Sequence, residues 1–204
     1  TAHAEAQGMP VRIRALLYDA GRVEEREVAP AEIPSLAPPE GGVLWLDVVG
    51  LSDPAVIRAI GDRFGFHPLA QEDVLNVPQR PKVEWYGDHL LVVLREVRYP
   101  ELPEQVSFFL GDRLVVSFKE RPGDCFAPVR DRVQQGKGRI RSEGADFLLY
   151  SLCDAVLASF FPTLETLGDS VEEMEERVLS SPGPDTSVAL RRIKRAMLSV
   201  RRAV

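Results

Sequence analysis

Short stretches of alternating hydrophobic and polar residues fill the first two thirds of the chain and predict strands interrupted by helices. Val11–Tyr18 and Arg22–Val28 flank the turn residues Asp19–Gly21, which predicts a hairpin. The nearly continuous apolar run Val43–Val49 predicts a buried strand. Further strands are expected at Lys82–Tyr86, His89–Val97, Gln105–Leu110 and Arg113–Phe118.

Helical spacing appears between these strands. Asp53 and Pro54 form a capping start for apolar residues that recur at helical spacing up to Phe64. Pro68–Leu75 and Cys125–Gln135 predict two more helices. Strands bracketed by helices in this way predict an α/β fold whose mixed sheet is covered on both faces.

The last third of the chain changes to a heptad pattern that predicts two long helices. Apolar residues recur every three or four positions on both sides of a break at Ser181–Pro184: Leu164, Leu167, Val171, Met174 and Val178, then Leu190, Ile193, Met197, Val200 and Val204. Two such helices are expected to pair antiparallel, like a coiled coil. We therefore expect a disordered arm or non-native extension over residues 1–9, an α/β domain over 10–140 and a long helical hairpin over 141–204.

Charge is segregated between the two long helices. The first carries the acids Glu165, Asp169, Glu172, Glu173, Glu175 and Glu176, and the second carries the bases Arg191, Arg192, Lys194, Arg195, Arg201 and Arg202. Two interpretations are open. Either the two faces attract each other weakly while they stay solvated, or the acidic stripe attracts divalent cations.

Composition narrows the function without defining it. The 204 residues include 25 Lys and Arg against 31 Asp and Glu, a net charge of −6, which argues against a general nucleic-acid partner. Cys125 and Cys153 are too few for a disulfide framework, so a reducing, cytoplasmic setting is the default. No run approaches the roughly 18–20 consecutive apolar residues of a membrane span. We therefore expect that this stretch of chain does not conduct anything across a bilayer by itself.

The sequence shows no constellation typical of an enzyme, and the remaining candidates for chemistry are the carboxylates Glu72, Asp73 and Asp154. The three histidines form no metal-binding pattern, and neither a nucleophile elbow nor a phosphate-binding loop is present. Glu72 and Asp73 point about 100° apart on a helix, so they would not chelate one ion together. A structural interpretation is also open, in which Glu72 and Asp73 stabilise a helix N-terminus and Asp154 is a paired core group.

Several separate motifs, in the right order, resemble the CorA family of magnesium and cobalt channels. They are Trp45–Val48, His67–Asn76, Gln79–Glu84, Glu104–Leu110, Phe126–Arg130 and Ala145–Ala155. The resemblance implies a cytosolic α/β/α sandwich, then long helices that lead to a pore, assembled as a homopentamer at the cytoplasmic face of the inner membrane. The family's transmembrane helices and Gly-Met-Asn signature are expected beyond Val204, so residues 1–204 by themselves are expected to be soluble.

The resemblance also implies roles for the three carboxylates. Asp73 is similar to the family's carboxylate at an inter-subunit cation site, and Glu72 and Asp154 are similar to carboxylates of a second site nearby. The acidic partner of Asp73 would come from a neighbouring subunit's stalk helix past Val204. A further family acid, one turn after Asp154, is replaced by Ala158. The implied regulatory ligand is Mg²⁺ or Co²⁺.

Coordination chemistry agrees with that implication. Mg²⁺ demands octahedral oxygen ligands and keeps several waters, so sparse carboxylates spread over an interface suit it. A bound ion would bridge subunits and favour a closed ring, so that intracellular Mg²⁺ closes its own channel. Two alternatives stay open: a ZntB-like zinc transporter, which should show His or Cys ligands, and an assembly module whose carboxylates bind nothing.

Overall fold

The computed structural model describes residues 9–101, 103–180 and 184–203. Most of the predicted arm, the first three residues of the predicted break at Ser181–Pro184 and the last predicted heptad residue, Val204, lie outside the described residues. The strands are β1 (Arg12–Tyr18), β2 (Val23–Val28), β3 (Val43–Val49), β4 (Lys82–Tyr86), β5 (His89–Glu96), β6 (Glu104–Gly111) and β7 (Leu114–Lys119). The helices are α1 (Pro54–Phe64), α2 (Pro68–Leu75), α3 (Ala127–Gln135), α4 (Ala145–Ala158), α5 (Phe160–Ser180) and α6 (Pro184–Ala203), with a 3-10 helix at Pro30–Ser35.

The strands form one mixed, seven-stranded sheet in the order β2-β1-β3-β7-β6-β5-β4. β3 and β7 pair parallel, and the other neighbours pair antiparallel. The predicted hairpin is confirmed, because β1 and β2 pair from Ile13 with Val28 to Tyr18 with Val23. This order leaves β4 at one edge of the sheet, beside β5 alone.

Helices cover both faces of the sheet, which confirms the predicted α/β/α sandwich. Successive residues of a strand point to opposite faces. On β3, accordingly, Leu46 packs in one core with α1 and α2, whereas Trp45 packs in the other with α3 and α4. Both residues are at most 1% exposed, so the central strand is buried from both sides.

The long helical segment before the predicted break is divided at Ser159 into α4 and α5, where the sequence predicts one long helix. Pro162 lies in the first turn of α5 and lacks the amide hydrogen that would donate to the carbonyl of Ala158. That missing donor interrupts the helical ladder at this point. α4 packs on the sheet through Leu148 and Leu152, and α5 continues past it.

α5 and α6 pair antiparallel as predicted, but they cover only part of their apolar seam. Val178 near the end of α5 and Leu190 near the start of α6 line one cavity, and Thr163 near the start of α5 and Ser199 near the end of α6 line another. Leu167, Met174 and Ile193 are buried. Other seam residues, Leu164, Val178, Leu190 and Met197, stay exposed.

One helical stretch among the described residues, Ala145–Ser180, has the length and apolar composition of a membrane span. The sequence contains no unbroken apolar run of that length, so this stretch qualifies by its average composition only. In the apolar 18-residue part of this stretch that is comparable to a membrane span, 39% is buried inside the protein. Core helices of soluble domains share these properties, and α4 packs against the sheet in that manner.

Candidate functional site

α2 carries Glu72 and Asp73, and its position is determined at its first turn. The His67 side chain caps the helix, because its Nδ1 accepts from the backbone N–H of Leu69 at 3.2 Å, and Pro68 occupies the first helical position. The His67 ring also stacks on Tyr86 of β4, with ring centroids 5.4 Å apart. This stacking docks the start of α2 against the edge strand.

Close packing of α1 on α2 also positions the site. Gln71, next to Glu72 on α2, is buried and its Nε2 donates to the carbonyl of Phe66 at 2.9 Å. A Cβ atom at Gly61 of α1 would overlap this side-chain amide. A side chain at position 61 would therefore force the Gln71 amide to move from its hydrogen bond with Phe66.

Replacing Gly61 with alanine should lower the free energy of unfolding by about 1 kcal/mol, because the overlap with Gln71 outweighs the gain in helix propensity. Gly168 of α5 provides a matched control, since a Cβ there meets nothing within 4 Å. Gly168→Ala should instead stabilise the protein by about 0.5–1 kcal/mol. Urea denaturation of both variants measures the difference, and equal shifts in the same direction would contradict the packing argument.

The Asp73 carboxylate is held by three side chains that follow it in sequence. Lys82 Nζ donates to Asp73 Oδ2 at 2.7 Å, Gln79 Nε2 donates to Oδ1 at 2.7 Å, and Tyr86 OH donates to Oδ2 at 3.2 Å. Lys82 and Tyr86 both also contact Glu84 Oε2, each at 2.9 Å. Lys82, Glu84 and Tyr86 alternate along β4, so they share the face of the strand that meets α2.

These contacts shift the titration of the whole group. Burial raises the pKa of Asp73, but hydrogen bonds from Lys82 and Gln79 and the Lys82 charge outweigh it, so the pKa lies below its usual value. Burial lowers the pKa of Lys82, and the two carboxylates more than reverse this, so it lies above its usual value. The hydrogen bond to Glu84, then burial, raise the pKa of Tyr86 to about 12. Asp73 is therefore an ionised carboxylate at neutral pH.

A second layer of amides supports the Asp73 segment. Gln105, buried on β6, donates through Nε2 to the Asp73 carbonyl at 3.2 Å and accepts from the Gln79 N–H at 2.7 Å. Arg95 of β5 donates to the Gln79 carbonyl at 3.1 Å. The sheet thus determines where Asp73 and its partner Gln79 lie.

Glu72 and Asp154 are placed differently from Asp73. Glu72 points to the exposed side of α2, in agreement with the predicted divergence of the two neighbouring side chains. Asp154 is also exposed on α4, and no hydrogen bond or ion pair involves it among the described residues. The structural interpretation of Asp154 as a paired core group is therefore not what the fold shows.

Large apolar side chains lie exposed beside both carboxylates. Asp154 shares a helix face with Tyr150 and Leu157, which are 63% and 54% exposed, and the face continues into α5 at Phe161. Leu69 lies one turn before Glu72 on α2 and is 58% exposed. Exposed apolar side chains grouped in this way are typical of interaction surfaces.

The described residues contain no group of three or more His, Cys, Asp or Glu side chains that could hold a metal ion. Glu72, Asp73 and Asp154 thus do not form a complete site within one chain. Zinc donors are also dispersed: His67 caps α2, and His89 packs edge-on against Phe66, with centroids 5.1 Å apart. Burial raises the pKa of Cys153 to about 11 and that of Cys125 still further, which disfavours the thiolate that binds zinc.

Sequence reasoning missed the partners of Asp73. Lys82 and Glu84 lie within the motif Gln79–Glu84, and Tyr86 follows it closely. That motif served only to indicate the resemblance to a family. Their alternation in a predicted strand was the available signal, because it places all three on one face. It could not reveal that α2 lies over that face.

Comparison with known proteins agrees with the resemblance. A family model described as CorA-like Mg²⁺ transporter protein matches residues 40–204. The cobalt/magnesium transport protein CorA of Thermotoga maritima is 37% identical over 188 residues, which cover 89% of this chain and 54% of that protein. The magnesium transporter ALR2 of Saccharomyces cerevisiae is 29% identical over 156 residues, which cover 73% of this chain and 18% of that protein. The chain thus spans about half or less of these relatives, which are transporters and not enzymes.

Solved structures share the fold at lower identity. The complete CorA magnesium transporter from Methanocaldococcus jannaschii aligns with a TM-score of 0.75 at 16% identity, covering 96% of this chain and 60% of that one. The ZntB cytoplasmic domain from Vibrio parahaemolyticus aligns with a TM-score of 0.67 at 14% identity, covering 95% of this chain and 75% of that one. At these identities the similarity establishes the architecture alone.

Proposed function

Because the chain belongs to the family of CorA-like Mg²⁺ transporter proteins, we propose that it is the ion-sensing cytosolic region of a Mg²⁺ or Co²⁺ channel. In this proposal the region lies at the cytoplasmic face of the inner membrane and assembles as a homopentamer. Mg²⁺ or Co²⁺ is both the transported substrate and the regulatory ligand. The pore, in this proposal, is formed by chain that follows Val204.

The observation that carries the proposal is the position of the two exposed carboxylates. Glu72 and Asp154 lie on surfaces that also expose large apolar side chains, Leu69 beside the first and Tyr150 and Leu157 beside the second. When a second subunit covers such surfaces, the carboxylates become partly buried at the boundary. An uncompensated charge at a boundary is costly, so a cation there stabilises the assembled state.

Regulation follows from this arrangement. Mg²⁺ keeps much of its water shell and binds through one or two carboxylates, so it suits acids contributed singly by different subunits. With the ion bound, facing carboxylates are bridged; without it they repel each other. The ion therefore shifts the population toward the closed assembly, by an amount set by how much more tightly it binds the closed than the open assembly.

Removal of Glu72 and Asp73, two of the three carboxylates proposed to form the sensor with Asp154, should relieve inhibition by cytosolic Mg²⁺. In the full-length protein, Glu72→Ala combined with Asp73→Ala should raise the half-inhibitory Mg²⁺ concentration by roughly tenfold or more, within the range of allosteric couplings. Mg²⁺ uptake into proteoliposomes, measured at a series of luminal Mg²⁺ concentrations, reports this value.

The control for that variant removes two other acids. Asp62 and Asp88 are both exposed, so Asp62→Ala with Asp88→Ala changes the net charge equally without touching the proposed sensor. If inhibition by Mg²⁺ is unchanged in the sensor variant, or changes equally in both variants, Glu72 and Asp73 are not the sensor.

Competition calorimetry with Mg²⁺ and Zn²⁺ separates the proposal from a zinc transporter. The carboxylate set predicts that Mg²⁺ binds with retained waters, whereas a zinc site would require His or Cys donors. An assembly module that binds no ion would give no heat with either metal. It would also show no rise in thermal stability with Mg²⁺, which selective binding to the folded state must produce.

A further inference from the structure

The carboxylate proposed to sense Mg²⁺ already has a cation bound to it, the ammonium group of Lys82. Lys82 Nζ lies 2.7 Å from Asp73 Oδ2 and 2.9 Å from Glu84 Oε2, so one ammonium bridges two carboxylates. The hydroxyl of Tyr86 contacts the same two oxygen atoms. The Lys82 and Asp73 side chains are 25% and 21% exposed, so the pair is largely withdrawn from water.

A divalent ion at Asp73 has to displace this ammonium. Two cations at about 4 Å from each other repel strongly where water is partly excluded. Lys82 approaches Asp73 Oδ2, and the other oxygen, Oδ1, accepts the hydrogen bond from Gln79 Nε2. Lys82 therefore has to move away before an ion can take its place at Oδ2, and its charge disfavours an ion at Oδ1 while it stays.

We propose that Lys82 is a tethered competitor that sets the Mg²⁺ concentration at which Asp73 binds an ion. This inference rests on the proposed function of Asp73 and adds the residue that tunes its threshold. When the binding-competent state is only a fraction of the population, the apparent affinity falls by that fraction. A site of two carboxylates without the lysine would respond at a lower Mg²⁺ concentration, and the lysine raises the concentration at which the site responds.

The first test replaces the ammonium in the full-length protein. Lys82→Met should lower the half-inhibitory Mg²⁺ concentration for uptake by roughly three- to tenfold, the scale of one partly buried ion pair. Lys137→Met removes the same charge from an exposed position after α3 and should leave the value unchanged. Lys82→Arg keeps a competing cation and should keep the value at or above that of the wild type.

The second test asks whether Lys82 acts through Asp73. Asp73→Asn is combined with Lys82→Met in a double-mutant cycle, and the effect of the lysine change should disappear in the Asp73→Asn background. Mg²⁺-dependent protection from limited proteolysis gives a readout that does not depend on transport. Lys82→Gln repeats the comparison with a polar side chain if Lys82→Met does not fold.

The outcomes distinguish this inference from the proposed function. If Asp73→Asn shifts the Mg²⁺ response and Lys82→Met does not, the competitor role is overturned and the sensor stands. If Lys82→Met raises the half-inhibitory concentration, Lys82 positions Asp73 for the ion and the competitor role is likewise overturned. If Asp73→Asn leaves the wild-type response unchanged, the proposed function of Asp73 fails, and the competitor role fails with it.

Discussion

Replacing Arg130 with methionine is expected to lower the free energy of unfolding by about 3–5 kcal/mol, the cost of breaking a buried ion pair from one side. Arg130 Nη2 lies 3.2 Å from Asp47 Oδ2, and both side chains are about one tenth exposed. The guanidinium carbon also lies 5.5 Å from the Trp45 ring centroid. Without Arg130, the hydrogen bond from Ser117 Oγ, at 2.8 Å, is the one side-chain contact that the Asp47 carboxylate keeps within the described part of the chain.

The control and the rescue for Arg130 are available in the same chain. Arg132 lies on the same helix, α3, and is exposed, so Arg132→Met should change stability by no more than about 0.5 kcal/mol. Adding Asp47→Asn to Arg130→Met removes the unpaired charge and should restore part of the loss. Urea denaturation measures all four proteins. Equal effects of Arg130→Met and Arg132→Met would show that the buried pair is not what stabilises this region.

Glu104→Gln is expected to remove a large pH dependence of stability. Glu104 on β6 lies directly opposite Glu96 on β5, and both side chains are at most 2% exposed. Arg98 and Arg121 approach Glu104 Oε2 at 3.6 and 3.5 Å, and the N–H of Arg121 donates to Oε1 at 2.7 Å. Burial raises the pKa of Glu104 from 4.5 to about 7; contacts with Arg121 oppose this shift, and the Glu96 charge adds to it.

The direction of the pH effect follows from this raised pKa. Between pH 4.5 and 7 the folded protein keeps the Glu104 proton, whereas the unfolded chain releases it. The unfolded state then binds fewer protons, so stability falls as the pH rises through this window. A pKa shift from 4.5 to about 7 corresponds to about 3 kcal/mol in the free energy of unfolding. This contribution is present in full below pH 4.5 and is lost above about pH 7.

Chemical denaturation between pH 5 and pH 8 tests this expectation. Glutamine does not titrate, and its carbonyl oxygen can still accept a hydrogen bond from the Arg121 N–H. The free energy of unfolding of the variant, relative to that of the wild type, should therefore increase as the pH rises. Glu176→Gln on the exposed surface of α5 serves as the control and should leave the pH profile unchanged. Parallel profiles for wild type and Glu104→Gln would mean that Glu104 ionises in the folded protein as it does in the unfolded chain.

Local signals in the sequence were sufficient for the strands and for the ends of α1, but not for the break at Ser159 between α4 and α5. Asp53 caps α1 through its side chain, and Gly65 ends that helix in the left-handed conformation. The four strands expected between residues 82 and 118 are all present. The observed and predicted boundaries differ by no more than one residue at any strand end. These features depend on residues close together in the chain, where capping and alternation act directly.

The site was only partly predictable. The motifs and their order identified the family and pointed to Glu72, Asp73 and Asp154 as candidate ligands. The sequence did not show that Asp73 is paired with Lys82, or that Asp154 lies exposed among apolar side chains on α4. The role of the three carboxylates as ion ligands stays a prediction, which Mg²⁺ titration of the carboxylate variants would test.

The sequence by itself determined most of the strands and helices and the family to which the chain belongs, because each depends on short-range periodicity or on contiguous motifs. The tertiary structure alone decided which charges distant in the sequence meet. Asp47 and Arg130 are 83 residues apart, and Glu96 and Glu104 face each other only in one strand register. Such pairings are chosen by burial and packing summed over the whole fold, and no local pattern of residues encodes that sum.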